Sequence, residues 1–74
     1  MTRFEYINQN LPEITEEVKM GFIPTTVLSH YAIYCRYDYY RKQNQNVATS
    51  VFYTSEDLSV SESLIYKIIK EMNT

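Results

Sequence analysis

The sequence predicts an all-α domain of about four helices, and three observations support this. Gly21 is the only glycine among 74 residues, so the tight hairpin turns that join β-strands have few places to form. Apolar residues recur at spacings of three and four along most of the chain, which is typical of helices with one buried face. The chain is also so short that one core must use nearly every large apolar side chain. We therefore expect one small domain over residues 1–74.

Residues 1–23 are predicted to form an N-terminal helix and a connector. Pro12 cannot lie inside an unbroken helix, so we expect a short N-terminal turn or helix, followed by a helix that begins near Asn10. Gly21 is expected to end that second segment. The apolar positions of the buried face are Phe4, Ile7, Leu11, Ile14 and Val18.

Residues 24–46 are predicted to form a long central helix, because no breaker interrupts them and Pro24 suits a first helical turn. We expect this helix to be the scaffold on which the rest of the domain packs. Its apolar stripe consists of Val27, Leu28, Tyr31, Ala32, Tyr34 and Cys35, and Tyr39 extends it by four residues.

The chain contains eight tyrosines, which is a large number for its length. The commoner explanation is that the rings pack along their bodies and keep the hydroxyl in water. The alternative is a surface on which nucleic-acid bases stack. Where they are exposed, Tyr31, Tyr34 and Tyr37 are the expected surface of a homodimer.

Residues 47–58 fit two kinds of secondary structure. The run from Val51 to Thr54 is β-branched and aromatic, which favours a strand. One face of a helix instead fits the spacing of Ala48, Val51, Phe52, Ser55 and Leu58, and the polar residues 55–57 suit a helix better than a strand. We interpret this segment as a helix.

Residues 61–73 are predicted to form the last helix. The Ser61 hydroxyl can accept a hydrogen bond from a free first-turn N–H group, and Glu62 lies near the positive end of the helix dipole. Ser59, Val60 and Ser61 are expected to form the turn that precedes it. The apolar face consists of Leu64, Ile65, Ile68, Ile69 and Met72.

Two helices joined by so short a turn are typical of a helix-turn-helix, which presents its second helix to the major groove of DNA. Close packing beside the turn needs a small residue on the first helix, which is Ser55, and a buried apolar pair, which is Leu58 and Val60. Together with the central helix, these two helices are expected to form a trihelical core. The chain stops soon after the last apolar position, so we expect no β-wing.

Residues 58–70, LSVSESLIYKIIK, resemble the leucine, glycine, valine, serine turn and the valine-tyrosine-arginine run of bacterial and mobile-element helix-turn-helix proteins. The resemblance covers about the last third of the chain. Ser59 stands where the family usually has glycine, and Leu64 where it often has threonine. Small tyrosine-rich proteins with such a C-terminal motif are similar to those encoded by Bacteroidetes plasmids, phages and conjugative elements. The resemblance implies sequence-specific binding of double-stranded DNA by a transcriptional or replication-related regulator of a mobile element.

The resemblance also implies which residues contact DNA. The outward positions of the recognition helix would be Ser61, Glu62, Ser63, Tyr66, Lys67 and Lys70. Lysines can reach phosphates or guanine edges, and Glu62 can accept a hydrogen bond from a cytosine amino group. The alternative is an ordinary solvated helix face, on which Lys67 and Glu71 form a surface pair and Glu62 only stabilises the helix.

The net charge of −2 counts against DNA binding, because phosphate neutralisation supplies most non-specific affinity. Arg36, Arg41 and Lys42 are candidate phosphate contacts if they share a face with the two lysines of the last helix. Arg41 and Lys42 also suit the negative end of the central helix. The alternative function is therefore a protein-interaction module that uses a tyrosine-rich or acidic face.

Other kinds of chemistry have little support in the sequence. Cys35 is the only cysteine, which excludes an intrachain disulfide and a zinc finger and favours a reducing compartment. His30 is the only histidine and has no metal-ligand or catalytic partner at a recognisable spacing. No stretch of 18 apolar residues and no signal peptide is present. We expect a cytoplasmic protein that is not an enzyme and needs no cofactor, metal or membrane.

Overall fold

The computed structural model describes residues 1–74, which form five α-helices and no β-strand. The helices are α1 Arg3–Gln9, α2 Leu11–Lys19, α3 Thr26–Lys42, α4 Val47–Leu58 and α5 Glu62–Met72. The all-α prediction is confirmed. None of these helices combines the length and the apolar character that crossing a membrane requires.

The chain has five helices rather than about four, because residues 1–23 contain two of them. α1 has its own start, where Thr2 Oγ1 accepts a hydrogen bond from the Glu5 N–H at 3.1 Å and Glu5 Oε1 accepts one from the Thr2 N–H at 2.8 Å. Asn10 separates α1 from α2, and Pro12 lies in the first turn of α2. The break therefore lies where the sequence predicts it, but the segment before it is a complete helix.

α3 is shorter than the predicted 24–46 and lies at the centre of the domain. Asn44 has a φ of 67°, so the chain has left the helical conformation before residue 46. α3 packs against both α4 and α5, and it buries Ile33, Tyr34 and Tyr37. Both of the other long helices therefore pack on α3.

Three tyrosines of α3 connect it to three other parts of the chain. Each ring packs along its body while its hydroxyl donates to a polar partner. The bonds are Tyr31 Oη to Asn8 Oδ1 in α1 at 2.6 Å, Tyr34 Oη to Asn73 Oδ1 after α5 at 3.2 Å, and Tyr40 Oη to Asp57 Oδ2 in α4.

Residues 47–58 form a helix, as predicted. Asn46 Oδ1 accepts a hydrogen bond from the Thr49 N–H at 2.8 Å and so caps the start of α4. Ser50, Val51 and Thr54 are fully buried, so α4 meets its neighbours through small and β-branched side chains. The Thr54 hydroxyl donates to the Ser50 carbonyl oxygen at 2.7 Å and is therefore satisfied inside the helix.

All five helices contribute to one core, which agrees with the expectation that so short a chain has few apolar side chains to spare. Its members are Ile7, Ile14, Ile33, Tyr34, Tyr37, Val51, Ile65, Ile68 and Met72.

Candidate functional site

α4 and α5 are joined by the short turn that the sequence predicts. Ser59 has φ 55° and ψ 42°, a left-handed conformation that serine adopts only at a cost in free energy. The Ser61 hydroxyl accepts a hydrogen bond from the Leu64 N–H at 3.1 Å, which starts α5. Ser55 Oγ donates to the Val60 carbonyl oxygen at 2.6 Å, so its small side chain ties the end of α4 to the turn.

The predicted buried pair beside this turn is wrong for Leu58. Val60 is half-buried, but the Leu58 side chain is 39% exposed. Leu58 lines a shallow groove between α3 and α4, together with Ala32, Cys35, Arg36 and Tyr39. Because Ala32 and Cys35 are small, this side of the helix pair stays open to solvent.

The residues predicted as outward positions of the recognition helix are all exposed, on the outer face of α5 and at its N-cap, Ser61. Ile65 and Ile68 are completely buried on the opposite face. Neither lysine of this face forms an ion pair within the chain. The exposed residues are Ser61, Glu62, Ser63, Tyr66, Lys67 and Lys70.

The alternative surface pair between Lys67 and Glu71 does not form. Glu71 Oε2 instead lies 3.3 Å from His30 Nδ1, so it connects α5 to α3. Lys67 therefore keeps its full charge available on the outer face.

The three candidate cations of α3 are already engaged within the chain. Arg36 Nε donates to Asp57 Oδ2 at 3.0 Å, which turns Arg36 towards α4. The Lys42 ammonium lies 3.0 Å from Asp38 Oδ2. Arg41 Nη1 donates to the Gln45 carbonyl oxygen at 2.9 Å, as a cation near a helix C-terminus is expected to do.

Of these three, Arg41 shares an electrostatic neighbour, Tyr37, with α5. Burial raises the pKa of Tyr37, Arg41 opposes this increase, and Tyr66 of α5 adds to it. The expected basic side is reduced to Arg41 and the two lysines of α5, because Arg36 faces α4.

The predicted tyrosine surface for a homodimer is not exposed. Tyr34 and Tyr37 are 8% and 6% exposed, respectively, and belong to the core. Tyr31 is half-buried and stacks on Phe4 with ring centroids 5.6 Å apart. These rings are covered because α1 and α5 pack on the side of α3 that carries them.

A different group of aromatic residues is exposed, on the outer surface formed by α3 and α4. Tyr39 is 49%, Phe52 48% and Tyr53 41% exposed, and the half-buried Tyr40 joins them. We call these four residues the aromatic patch. Sequence reasoning missed it, because it placed Tyr39 on the apolar stripe of α3 and Phe52 on the apolar face of α4, and both are exposed. A signal was nevertheless present: neighbouring residues on a helix diverge by about 100°, so Phe52 and Tyr53 cannot both be buried beside Val51.

The site is therefore a solvent-facing side of α5 with two unpaired lysines, held by a buried apolar face. No group of three or more histidine, cysteine, aspartate or glutamate side chains is arranged to hold a metal ion. Comparisons with protein-family models, curated proteins and solved structures find no match to this chain.

Proposed function

We propose that the protein binds double-stranded DNA through α4 and α5, which act as a helix-turn-helix with α5 as the recognition helix. The observation that carries this proposal is the exposed face of α5, where Lys67 and Lys70 have no ion-pair partner. An exposed helix that follows a short capped turn and carries two unpaired lysines on its outer face suits the major groove. The resemblance of residues 58–70 to mobile-element proteins favours a role in transcription or replication control.

The size and support of α5 suit this role. Its 11 residues make a helix about 16 Å long, and the major groove is about 12 Å wide and about 8.5 Å deep. Ile65 and Ile68 have no exposed area and fix α5 against α3 and α4. A helix held in this way can present its outer side chains without first becoming ordered, which reduces the entropic cost of binding.

The outer side chains offer complementary chemistry. The Ser61 oxygen already accepts a bond from the chain, but its hydroxyl proton remains available to a phosphate oxygen, as does that of Ser63. Tyr66, at 46% exposure, can donate to a phosphate or contact a thymine methyl group. Lys67 and Lys70 can reach phosphates or guanine edges.

The charge of the chain limits the affinity that we expect. Arg36 and Lys42 are paired with Asp57 and Asp38, so only two or three cations are available to phosphates beside α5. Each phosphate contact contributes about −0.9 to the slope of log affinity against log salt, so we expect a slope of about −2 to −3. Binding should therefore be weak at physiological salt and considerably tighter at low salt.

The test starts with selection of duplexes from a random DNA pool at low salt, followed by fluorescence-anisotropy titrations at several salt concentrations. Replacing both lysines, Lys67→Ala with Lys70→Ala, is expected to weaken binding about 30-fold and to make the salt slope shallower by about two.

Lys19→Ala is the matched control for loss of positive charge. Lys19 is exposed on α2 and pairs only with Glu16 at 3.9 Å. Its replacement should change the affinity by less than about twofold, because an exposed pair of this kind contributes little. A double variant that binds as tightly as the wild-type chain would contradict the proposal.

A second candidate is a protein-interaction module, which the net charge of −2 and the aromatic patch favour. In that case, selection would enrich no duplex, and the two lysines of α5 could be replaced without effect. The aromatic patch, and not α5, would then be the functional surface.

A further inference from the structure

The aromatic patch is one continuous surface. Ring centroids lie 5.2 Å apart for Tyr39 and Tyr40, 5.2 Å for Tyr40 and Tyr53, and 5.9 Å for Phe52 and Tyr53. The Arg36 guanidinium carbon lies 5.5 Å from the Tyr39 ring centroid and 5.6 Å from that of Tyr40. Aromatic residues and arginine are enriched at the centres of protein–protein interfaces and among their hot spots. The patch therefore has the composition of an interface.

We propose that the aromatic patch binds the same patch of a second copy of this chain and forms a two-fold symmetric dimer. Two-fold dimers are the commonest homo-oligomers, and each copy uses the same surface in them. The inference does not depend on DNA binding.

The exposed apolar area is close to the lower limit for a specific, reversible dimer. Tyr39, Phe52 and Tyr53 are 49%, 48% and 41% exposed, so at about 200 Å² for each side chain they offer roughly 280 Å². Leu58, at 39% exposure, extends this apolar area along the groove. With a polar rim of similar size, each copy approaches the roughly 600 Å² found at the lower end of specific interfaces. We expect dissociation in the micromolar range.

α3 and α4 of one copy can pack against α4 and α3 of a second copy, respectively. α3 and α4 run side by side, with Arg36 beside Asp57 at one level and Tyr40 beside Tyr53 at another. A two-fold axis along the groove between them places α3 of one copy on α4 of the other. Each residue of α3 then faces, in the other copy, the α4 residues that lie at its own level within one chain.

The charges beside the patch are complementary under this symmetry. Arg36 uses only Nε in a hydrogen bond to Asp57, so its two terminal nitrogens have no partner within the chain. Glu56, next to Asp57, is exposed and has neither a hydrogen bond nor an ion pair. In the dimer, Arg36 of each copy faces Glu56 of the other, which gives two ion pairs. A second copy is favoured over an unrelated partner because the same surface carries both the cation, Arg36, and the anion, Glu56, of the ion pair.

The dimer leaves the outer face of α5 open. Tyr39 follows His30 by nine residues, which at about 100° per residue places them on opposite sides of α3. His30 contacts Glu71 of α5, so the aromatic patch faces away from α5. Failure of the dimer and failure of DNA binding would therefore be separate results.

The experiment is sedimentation equilibrium of the full chain without DNA, from about 1 to about 500 μM, a range that spans the expected dissociation constant. The wild-type chain is expected to shift from one copy to two. Phe52→Ser with Tyr53→Ser should remain a monomer throughout. Tyr6→Ser is the control, because Tyr6 is a 55% exposed aromatic residue on α1. A wild-type chain that stays monomeric, or a dimer unaffected by the double replacement, would overturn the proposal.

A charge exchange tests the orientation of the two copies. Glu56→Arg and Arg36→Glu should each weaken self-association by at least about tenfold, because like charges then face each other. An equimolar mixture of the two variants should restore the dimer, since one ion pair re-forms as in the wild type and the other re-forms with its charges reversed. Circular dichroism checks that Arg36→Glu folds without its bond to Asp57. Glu56→Arg alone leaves that bond intact, so an unchanged dimer for this variant overturns the orientation even if Arg36→Glu does not fold.

Discussion

Arg36 Nε donates to Asp57 Oδ2 at 3.0 Å, and this bond joins α3 to the last turn of α4. Tyr40 donates to the same carboxylate oxygen, so Asp57 holds two donors from α3 at once. The bond to Asp57 holds Arg36 against α4, which explains why it does not add to the basic face of α5.

The carboxylate of Asp57 should make the chain sensitive to acid. Hydrogen bonds from Tyr40 and Arg36 hold the pKa of Asp57 below its usual value despite the opposite effect of burial. A lowered pKa stabilises the folded state above the unfolded value of about 4, and this stabilisation is lost as the pH falls through the folded pKa. Urea unfolding at several pH values should show Asp57→Asn to be less stable than wild type near neutrality, with a smaller further loss on acidification.

Glu56→Gln is the control for the Asp57 prediction, because Glu56 is the neighbouring carboxylate and has no partner within one chain. It should keep the acid dependence of the wild type at concentrations where the protein is a monomer. Parallel pH profiles for wild type and Asp57→Asn would contradict the role of this carboxylate.

Ser59→Gly should stabilise the chain. Ser59 has a φ of 55°, and glycine adopts this conformation without the steric cost that a side chain carries. The greater flexibility of glycine in the unfolded chain offsets part of this gain, so we expect an increase of about 0.5 to 1 kcal/mol in the free energy of unfolding. Asn44→Gly, at φ 67°, is the comparison and should gain less, because asparagine tolerates the left-handed region better than serine does. A loss of stability in Ser59→Gly would show that the serine side chain itself stabilises the turn.

Ser61→Ala and Asn46→Ala separate stability from DNA binding. Both residues cap helices, with bonds of 3.1 Å to the Leu64 N–H and 2.8 Å to the Thr49 N–H, respectively, and each replacement should cost about 1 kcal/mol of unfolding free energy. Only Ser61 lies at the start of α5, so only its replacement should also weaken DNA binding in anisotropy titrations. Equal binding by both variants at a temperature where both are folded would remove Ser61 from the contact set.

The buried tyrosines should make the chain unfold in alkali. Burial raises the pKa of Tyr34 and of Tyr37 above the ordinary value of about 10. The stabilisation is complete below the unfolded pKa and is lost as the pH rises through the folded one. Tyrosinate absorbance during a pH titration should show the buried pair ionising together with unfolding.

Tyr34→Phe tests the contribution of one buried hydroxyl. Loss of its bond to Asn73 should cost about 0.5 to 1.5 kcal/mol near neutral pH, while the alkaline loss of stability should become smaller. Tyr6→Phe, at an exposed site without a side-chain hydrogen bond, should change neither. An alkaline transition of unchanged size in Tyr34→Phe would mean that another tyrosine dominates it.

The sequence predicts the α4–turn–α5 segment closely, because its signals are local. Ser61 is a capping residue, and the apolar spacing of residues 64–72 defines one buried face, whereas the cap of α4 by Asn46 was not predicted. The exposed α5 residues follow from the same spacing. The signal that separates α1 from α2 is also local, since it is Pro12. The capping of α1 by Thr2 and Glu5 was not predicted.

The contacts of α3 could not be predicted in the same way. Its tyrosines recur every three residues, so they drift around the helix and do not show which side the other helices cover. The burial of Tyr34 and Tyr37 depends on where α1 and α5 pack, and the pairing of Arg36 depends on Asp57, 21 residues further along the chain. Such relationships arise from the packing of distant segments.

The hydroxyl bonds of Tyr31, Tyr34 and Tyr40 also make α3 a natural position for spectroscopic probes. The chain has no tryptophan, so its tyrosines are its main intrinsic chromophores. Each of these three reports on a different junction, with α1, with the segment after α5, or with α4. Incorporation of fluorotyrosine would give each junction its own ¹⁹F resonance, so the order in which the helices detach could be followed in a single titration.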